Sequence, residues 1–312
     1  MRRPRSRTSR CSPRPRSARR SGSSRTLSST AIADRAGPVP GVARRRSDHP
    51  IITLTTDFGL RDPYVAQMKA VILGVAPGAT IVDLTHELAP HDIVEAALAL
   101  DASAGFFPSG TIHVAVVDPG VGTTRRALGV LCETCVLIGP DNGVFTPFLS
   151  RRGARAFELA AERYRLPAVS RTFHGRDVFA PAAAHVARGV PLARFGGRVA
   201  DPVTLPWPSA RRRGATVVGA VIHVDRFGNL VTSIGASDVA HLGEDLALRI
   251  RGRVVPVVGT YGDLDRGSAG ALLGSSGRLE VAVREGRGAD LLRAQRGTPV
   301  AVTSRPSSRT AR

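Results

Sequence analysis

The chain has 312 residues, 42% hydrophobic, 22% charged and 4% aromatic, enough apolar mass for two packed domains and too much for a chain disordered throughout. Its formal net charge of +19 is uneven: residues 1–48 hold 14 Arg against Asp34 and Asp48, leaving 30 basic and 23 acidic residues, or +7, beyond them. No apolar run approaches the roughly 18 residues that span a bilayer and no secretory signal opens the chain, so a soluble, cytoplasmic protein without a membrane partner is expected.

Residues 1–48 are Arg, Ser and Pro with few apolar side chains, a composition that cannot offset chain entropy and predicts a disordered tail. From Ile51 short apolar runs alternate with helical periodicity, the pattern of an α/β domain. Ile51 to Thr56 reads as a buried strand ending at Asp57. Asp62 is placed as the cap of a helix with Val65, Met68, Ile72 and Val75 on one face, closed by Pro77-Gly78. Ile81 to Leu84 reads as a strand, Asp92 to Leu100 as a helix, and Thr111 to Val117 as a strand ending at Asp118. Cys132-Glu133-Thr134-Cys135 has metal or redox spacing, yet it joins two apolar runs as a hairpin would and reads first as strand-end cysteines, with a redox or zinc role as the alternative; with Cys11 in the tail, the chain has no disulfide framework. The Pro-rich stretch Asp201 to Gly214, with its run Arg211 to Arg213, reads as an interdomain linker. Beyond it, Val217 to Val224, Leu230 to Ile234, Leu246 to Ile250, Val254 to Val258 and Leu279 to Val283 are short β-rich runs suited to a small barrel or sandwich.

The expected fold is therefore α/β: an N-terminal α/β sandwich-like domain over 49–208 with a central, mainly parallel sheet, then a smaller C-terminal β-barrel domain over 209–304, and a short tail at 305–312. In such sheets ligands collect beyond the carboxyl ends of the strands, where Asp57 and Asp118 fall. Four clusters set polar groups beside glycines at the ends of apolar runs: Thr55 to Gly59, Asp118 to Arg126, Phe173 to Asp177, and Asp225 to Asn229. Each alone is more often a turn or satisfied structure than a site.

Taken in order, these clusters resemble the S-adenosylmethionine hydroxide adenosyltransferases, a family related to the fluorinases and chlorinases. Asp83-Leu84-Thr85-His86, Gly139-Pro140-Asp141-Asn142-Gly143 and Gly274-Ser275-Ser276-Gly277 extend the resemblance to about Val302. The resemblance implies an enzyme that splits S-adenosylmethionine with water into adenosine and methionine, with no cofactor and no metal. It also implies a homotrimer whose active sites lie at subunit interfaces. Its catalytic Asp, Arg and His fall on Asp118, Arg125 and His174, and its ribose-binding Asp on Asp57. Asp62 matches a position near the methionine end. Asp225 and Asn229 match contacts toward methionine and adenine, and Ser275 and Ser276 further ligand contacts.

The chemistry suits those residue types. Attack on the ribose 5′ carbon expels a neutral thioether, so only the water, with a pKa near 15.7 in bulk, needs help from side chains. Halide transfer is the nearest rival, but the related fluorinase carries Tyr at the position of Asp118 and Tyr-Ser at that of His174-Gly175. A metal hydrolase built on Asp83, His86, His91, His174 or His185 lacks any His-Glu-x-x-His spacing. A nucleic-acid binder acting through the basic tail is the rival from a different class, although Lys69 is the chain's one lysine and so complete a preference for Arg looks compositional.

Overall fold

The computed structural model describes residues 49–305, so the Arg-rich segment 1–48, Cys11 and residues 306–312 lie outside the described residues. β1 (Ile51–Thr56) is followed by α1 (Tyr64–Val75), β2 (Thr80–Thr85), α2 (Ile93–Ser103) and β3 (Thr111–Val116). β4 (Ala127–Leu131) and β5 (Cys135–Pro140) form the expected hairpin, and α3 (Thr146–Leu149), β6 (Arg155–Glu158), α4 (Ala180–Ala187) and β7 (Arg198–Val199) complete the first half.

These strands make a seven-stranded sheet in the order β2-β1-β3-β5-β4-β6-β7. β1, β2, β3 and β5 run parallel, whereas β4 is antiparallel to β5 and β6, and β6 to β7. The sheet is thus mixed, and the mainly parallel sheet expected from the alternating pattern is found on one side only. The hairpin turns the chain back before a helix can cross over. Apolar cores cover both faces: Met68, Ile72, Phe179 and Ala183 with α1 and α4 on one, Leu100, Phe145 and Phe148 with α2 and α3 on the other. Burial on both sides explains why β3 reads as an almost unbroken apolar run.

α1 departs from expectation at its start. Its N-cap position is Pro63, no side chain caps it, and Asp62 lies outside the helix; Val65, Met68 and Ile72 are buried as the periodicity required. Asp92 does cap α2, its Oδ1 accepting from the Glu95 N–H at 2.9 Å.

The second sheet holds β8 (Arg211–Arg213), β9 (Thr216–Val224), β10 (Leu230–Gly235), β11 (Leu246–Ile250), β12 (Arg253–Pro256), β13 (Ala269–Leu273), β14 (Arg278–Val283) and β15 (Pro299–Ser304), with α5 (Ala236–Val239) and α6 (Gly288–Leu292) between strands. Its order is β12-β11-β15-β9-β10-β14-β13, with β8 added on β9. The end strands approach where Val258 N–H donates to Ala271 O at 2.8 Å, so the sheet curls nearly into a barrel around Val221, Leu230, Leu248, Val281 and Val302. Arg211 to Arg213, expected as linker, is strand β8; all three residues are exposed, so no apolar alternation marked them. Across to the first half, Arg296 pairs with Asp92, and Arg278 lies 3.7 Å from Asp101.

Candidate functional site

Asp118 follows β3 at the carboxyl end of the parallel strands, and the chain then folds back on itself. Val121 N–H returns to Asp118 O and Thr123 Oγ1 to Gly120 O, which brings Arg125 against Asp118 across seven positions. Gly122 is required here, because its φ of +78° is left-handed and a Cβ would lie 2.5 Å from Arg171 O. The Arg125 guanidinium holds both carboxylate oxygens of Asp118, with Nε at 2.9 and 3.1 Å and Nη2 at 2.5 Å from Oδ2. Both side chains are nearly buried, 10% and 5% exposed.

Arg125 Nη2 also lies 2.9 Å from His174 Nδ1, and its Cζ sits 5.2 Å from the centre of the Phe179 ring. A guanidinium has no lone pair to offer, so it must be the donor and Nδ1 the bare acceptor; the ring proton is therefore on Nε2. Burial, then the charge of Arg125, pushes the His174 pKa below its ordinary value and keeps the ring neutral.

Asp57, Asp118 and His174 line one cavity of about 620 Å³, a size suited to a small ligand. Arg125 stands behind its wall. One oxygen of Asp57, Oδ2, accepts the His91 N–H at 2.9 Å, leaving Oδ1 for a ligand. An aromatic wall that the sequence did not single out completes the cavity: Phe58, Tyr64 and Phe173 meet edge to face, with centroids 5.2 to 5.9 Å apart. Gln67 adds an amide from the next turn of α1, its Oε1 accepting from Arg176 Nη1 at 2.9 Å. The spacing of Tyr64 and Gln67 on the exposed face of α1 was the available signal.

Behind the cavity, fully buried Asp177 accepts from Arg176 Nε at 2.6 Å and from the Ser170 N–H at 2.8 Å, pinning the lining segment that carries Ser170 and Thr172. Around β1, His86 Nδ1 lies 2.8 Å from Thr56 Oγ1 and its Nε2 3.0 Å from Asp83 Oδ1. Lys69 and His86 together outweigh the burial of Asp83 and hold its carboxyl below the usual range.

The remaining expected site residues do not line this cavity. Asp62 is exposed on the segment before α1. Asp225 and Asn229 bind each other in the β9–β10 turn, with Asn229 N–H on Oδ1 at 2.8 Å and Nδ2 on Oδ2 at 3.0 Å. Ser275 and Ser276 occupy the β13–β14 turn, closed by Gly277 N–H on Gly274 O. Among the described residues, no group of three or more His, Cys, Asp and Glu converges as a metal site would.

Residues 52–196 match the family model described as the SAM hydroxide adenosyltransferase N-terminal domain, and residues 219–301 match that of the C-terminal domain. A protein from Thermus thermophilus named (R)-S-adenosyl-L-methionine hydrolase is 44% identical over 253 residues, covering 78% of this chain and 96% of that protein. One of the same name from Salinispora tropica is 38% identical over 260 residues, covering 82% and 98%. A fluorinase from Nocardia brasiliensis is further off, at 29% over 269 residues, 75% of this chain and 90% of its own. Among solved structures, an uncharacterized conserved protein from Thermotoga maritima superposes with a TM-score of 0.76 at 32% identity, covering 81% of this chain and 99% of its own.

Proposed function

The chain belongs to the SAM hydroxide adenosyltransferase family, and from that premise we propose that it hydrolyses S-adenosyl-L-methionine to adenosine and L-methionine. One observation carries the step from kinship to chemistry: Arg125 bridges Asp118 and His174 at the wall of a ligand-sized cavity.

In this reading a water bound at Asp118 attacks the ribose 5′ carbon. The new C–O bond forms as the C–S bond breaks, the electron pair leaves with the uncharged methionine thioether, and the water's proton passes to Asp118. Arg125 occupies one side of that carboxylate and fixes its direction. His174, with its proton on Nε2, donates to the water oxygen and holds it in line; it is a poor base in this tautomer, because Nδ1 is already taken. Held at reacting distance in a cavity with an aromatic wall, the partners lose little further entropy on the way to the transition state. Asp57 Oδ1 grips the ribose hydroxyls.

Asp62 stands, in this reading, beside its own subunit's cavity toward the methionine end, while Asp225, Asn229, Ser275 and Ser276 contribute across the faces of a homotrimer, where the second half of one subunit covers the cavity of its neighbour. The support is that the cavity is lined only by residues between 57 and 176, while Phe227, between Asp225 and Asn229, is 74% exposed. Mixing inactive Asp118→Asn and Asn229→Ala subunits tests it: restored turnover is expected from interfacial sites, and none from sites within one subunit. A cytoplasmic site of action fits the two free thiols of the described residues. Among those residues no helix is long and apolar enough to cross a membrane.

Halide transfer draws support from the fluorinase relative, and the same assay decides between them. The full chain is incubated with S-adenosylmethionine in EDTA, with and without chloride or fluoride, and the nucleosides are separated by chromatography. Equal adenosine and methionine, indifferent to halide, is the expected result; a 5′-halo nucleoside, or no adenosine, overturns the proposal.

A further inference from the structure

Cys132 and Cys135 take no part in the chemistry above, yet the hairpin presents them as a pair. Register places Leu131 opposite Val136, so Cys132 and Cys135 are the next facing residues, on either side of the turn Glu133-Thr134. Cys132 N–H donates to Cys135 O at 2.9 Å, which fixes the two backbones at the hairpin tip. Facing residues of an antiparallel pair have Cα atoms roughly 4.5–5.5 Å apart, inside the window of about 4.4–6.8 Å that a disulfide spans. Their side chains also leave the sheet on the same face. The tip is tied down from outside as well, by Gly110 N–H on Thr134 O at 2.7 Å.

We infer that Cys132 and Cys135 form a redox-active dithiol that closes to an intramolecular disulfide by exchange with a low-molecular-weight disulfide. Cys132, the more exposed sulfur, hands its proton to the Cys135 sulfur as it attacks the small disulfide, forming a mixed disulfide and releasing one small thiol. Cys135, buried behind it, then attacks the Cys132 sulfur, and the second small thiol leaves. Two protein thiols are oxidised, one small disulfide is reduced to two thiols, and the protein's two protons end on those products.

The hydrogen bond to Cys135 and then burial push the Cys132 thiol up, so the pair's proton rests on Cys132 and the charge is favoured on Cys135. The two thiols are in hydrogen-bonding contact, and the Cys132 S–H, then the positive charge of Arg151, draw the Cys135 pKa down against the burial that would raise it. Arg151 is held in place by Asp101, 2.7 Å from its Nη2, and by the Phe148 ring, 4.3 Å from its Cζ. Glu133 is the one carboxylate within the turn itself. A strand-end cysteine buried only for packing needs no such cation beside it.

The test uses the full chain carrying Cys11→Ser, equilibrated in reduced and oxidised glutathione at graded ratios, then alkylated and weighed. Loss of both alkylation sites together, with a mass lower by two hydrogens and no retained glutathione, is expected. In the same background Cys135→Ser should instead trap one glutathione on Cys132, and Arg151→Gln should slow alkylation of the reduced pair about threefold to tenfold at pH 7. Circular dichroism verifies that each variant is folded. Two thiols that stay alkylatable in oxidised glutathione while the chain is folded, two separate glutathione adducts without closure, or closure only in urea would overturn the inference. None of these readouts involves S-adenosylmethionine turnover.

Discussion

Arg125→Lys separates the charge of this side chain from its shape. A lysine keeps the positive charge next to Asp118, but its single nitrogen cannot hold both carboxylate oxygens and also donate to His174 Nδ1, as the Arg125 fork does at 2.5 to 3.1 Å. About two charge-assisted hydrogen bonds are lost, each worth roughly 1.5–3 kcal/mol between buried groups. If roughly 3 kcal/mol of that is felt only when the water is being deprotonated, kcat falls about 10²-fold. Because the charge is kept, stability should drop by only about 1 kcal/mol, whereas Arg125→Ala leaves the buried Asp118 unpaired and should cost about 3–5 kcal/mol. The assay is adenosine release against substrate concentration, with urea melts run in parallel. His174→Ala should cost less in the Arg125→Lys background than in the wild type, since the contact it removes is already gone. Wild-type kcat in a folded Arg125→Lys variant, or strictly additive losses in the double variant, would refute the assigned geometry.

Other perturbations test the frame around the site. His113 is fully buried, with Nδ1 2.8 Å from Thr53 Oγ1, and burial pushes its pKa down to about 4 from an ordinary 6.5. The unfolded chain binds the extra proton, so this contribution to stability is present above pH 6.5 and is lost as pH falls toward 4, amounting to about 3 kcal/mol; in melts at pH 7.5 and 4.5 the wild type should lose more stability than His113→Gln by about that amount. For His174 the shift has the same sign: protonation would set a cation against Arg125, so kcat should decline as pH drops below the ordinary histidine range, and His174→Gln should flatten that acid limb. Gly122→Ala forces a Cβ toward Arg171 O in a left-handed backbone, and should cost about 2 kcal/mol, lowering Tm by about 4–8 °C. His86→Ala removes the side chain between Thr56 and Asp83 and loosens the end of β1 that carries Asp57; a KM raised about tenfold with kcat within threefold is expected from steady-state kinetics.

What could be read from the sequence depended on whether a residue's neighbours in space were also neighbours in the chain. β3 and β5 announced themselves as apolar runs, and Asp92 as a cap, because burial and capping leave their mark within a few positions. β8 left none: three exposed arginines gain their strand geometry from pairing with β9 alone. The expected cap at Asp62 failed because the helix begins after Pro63, whose ring already supplies the backbone angle of a first turn. Within the site, Asp57, Asp118 and His174 stood at strand ends or beside glycines and were legible. Phe58, Tyr64 and Phe173 were not legible as a wall, since the three rings meet only when α1 packs beside the segment before α4.

The reversal of the sheet, which the alternating pattern concealed, is what makes the Asp118–Arg125 pair possible. β3 and β5 run parallel, so Asp118 and Asp141 both emerge at the same end. Had β4 also run parallel, the chain leaving Asp118 would have had to cross to the opposite end before re-entering, and Arg125 would lie a strand's length away. Because β4 is antiparallel, with Ala127 facing Pro140, it starts where β3 stops, and one short loop returns Arg125 to Asp118. The neighbouring residue fastens the same corner: Arg126 pairs with Asp141 at 2.8 Å, and Asp141 N–H donates to Arg126 O at 3.0 Å. Two adjacent arginines thus divide the work, Arg125 turned to the cavity wall and Arg126 to the strand ends that hold it. The antiparallel half of the sheet is accordingly a condition of the site, and a substitution that frays the β4–β5 pairing near Ala127 and Pro140 should cost activity before it costs the fold.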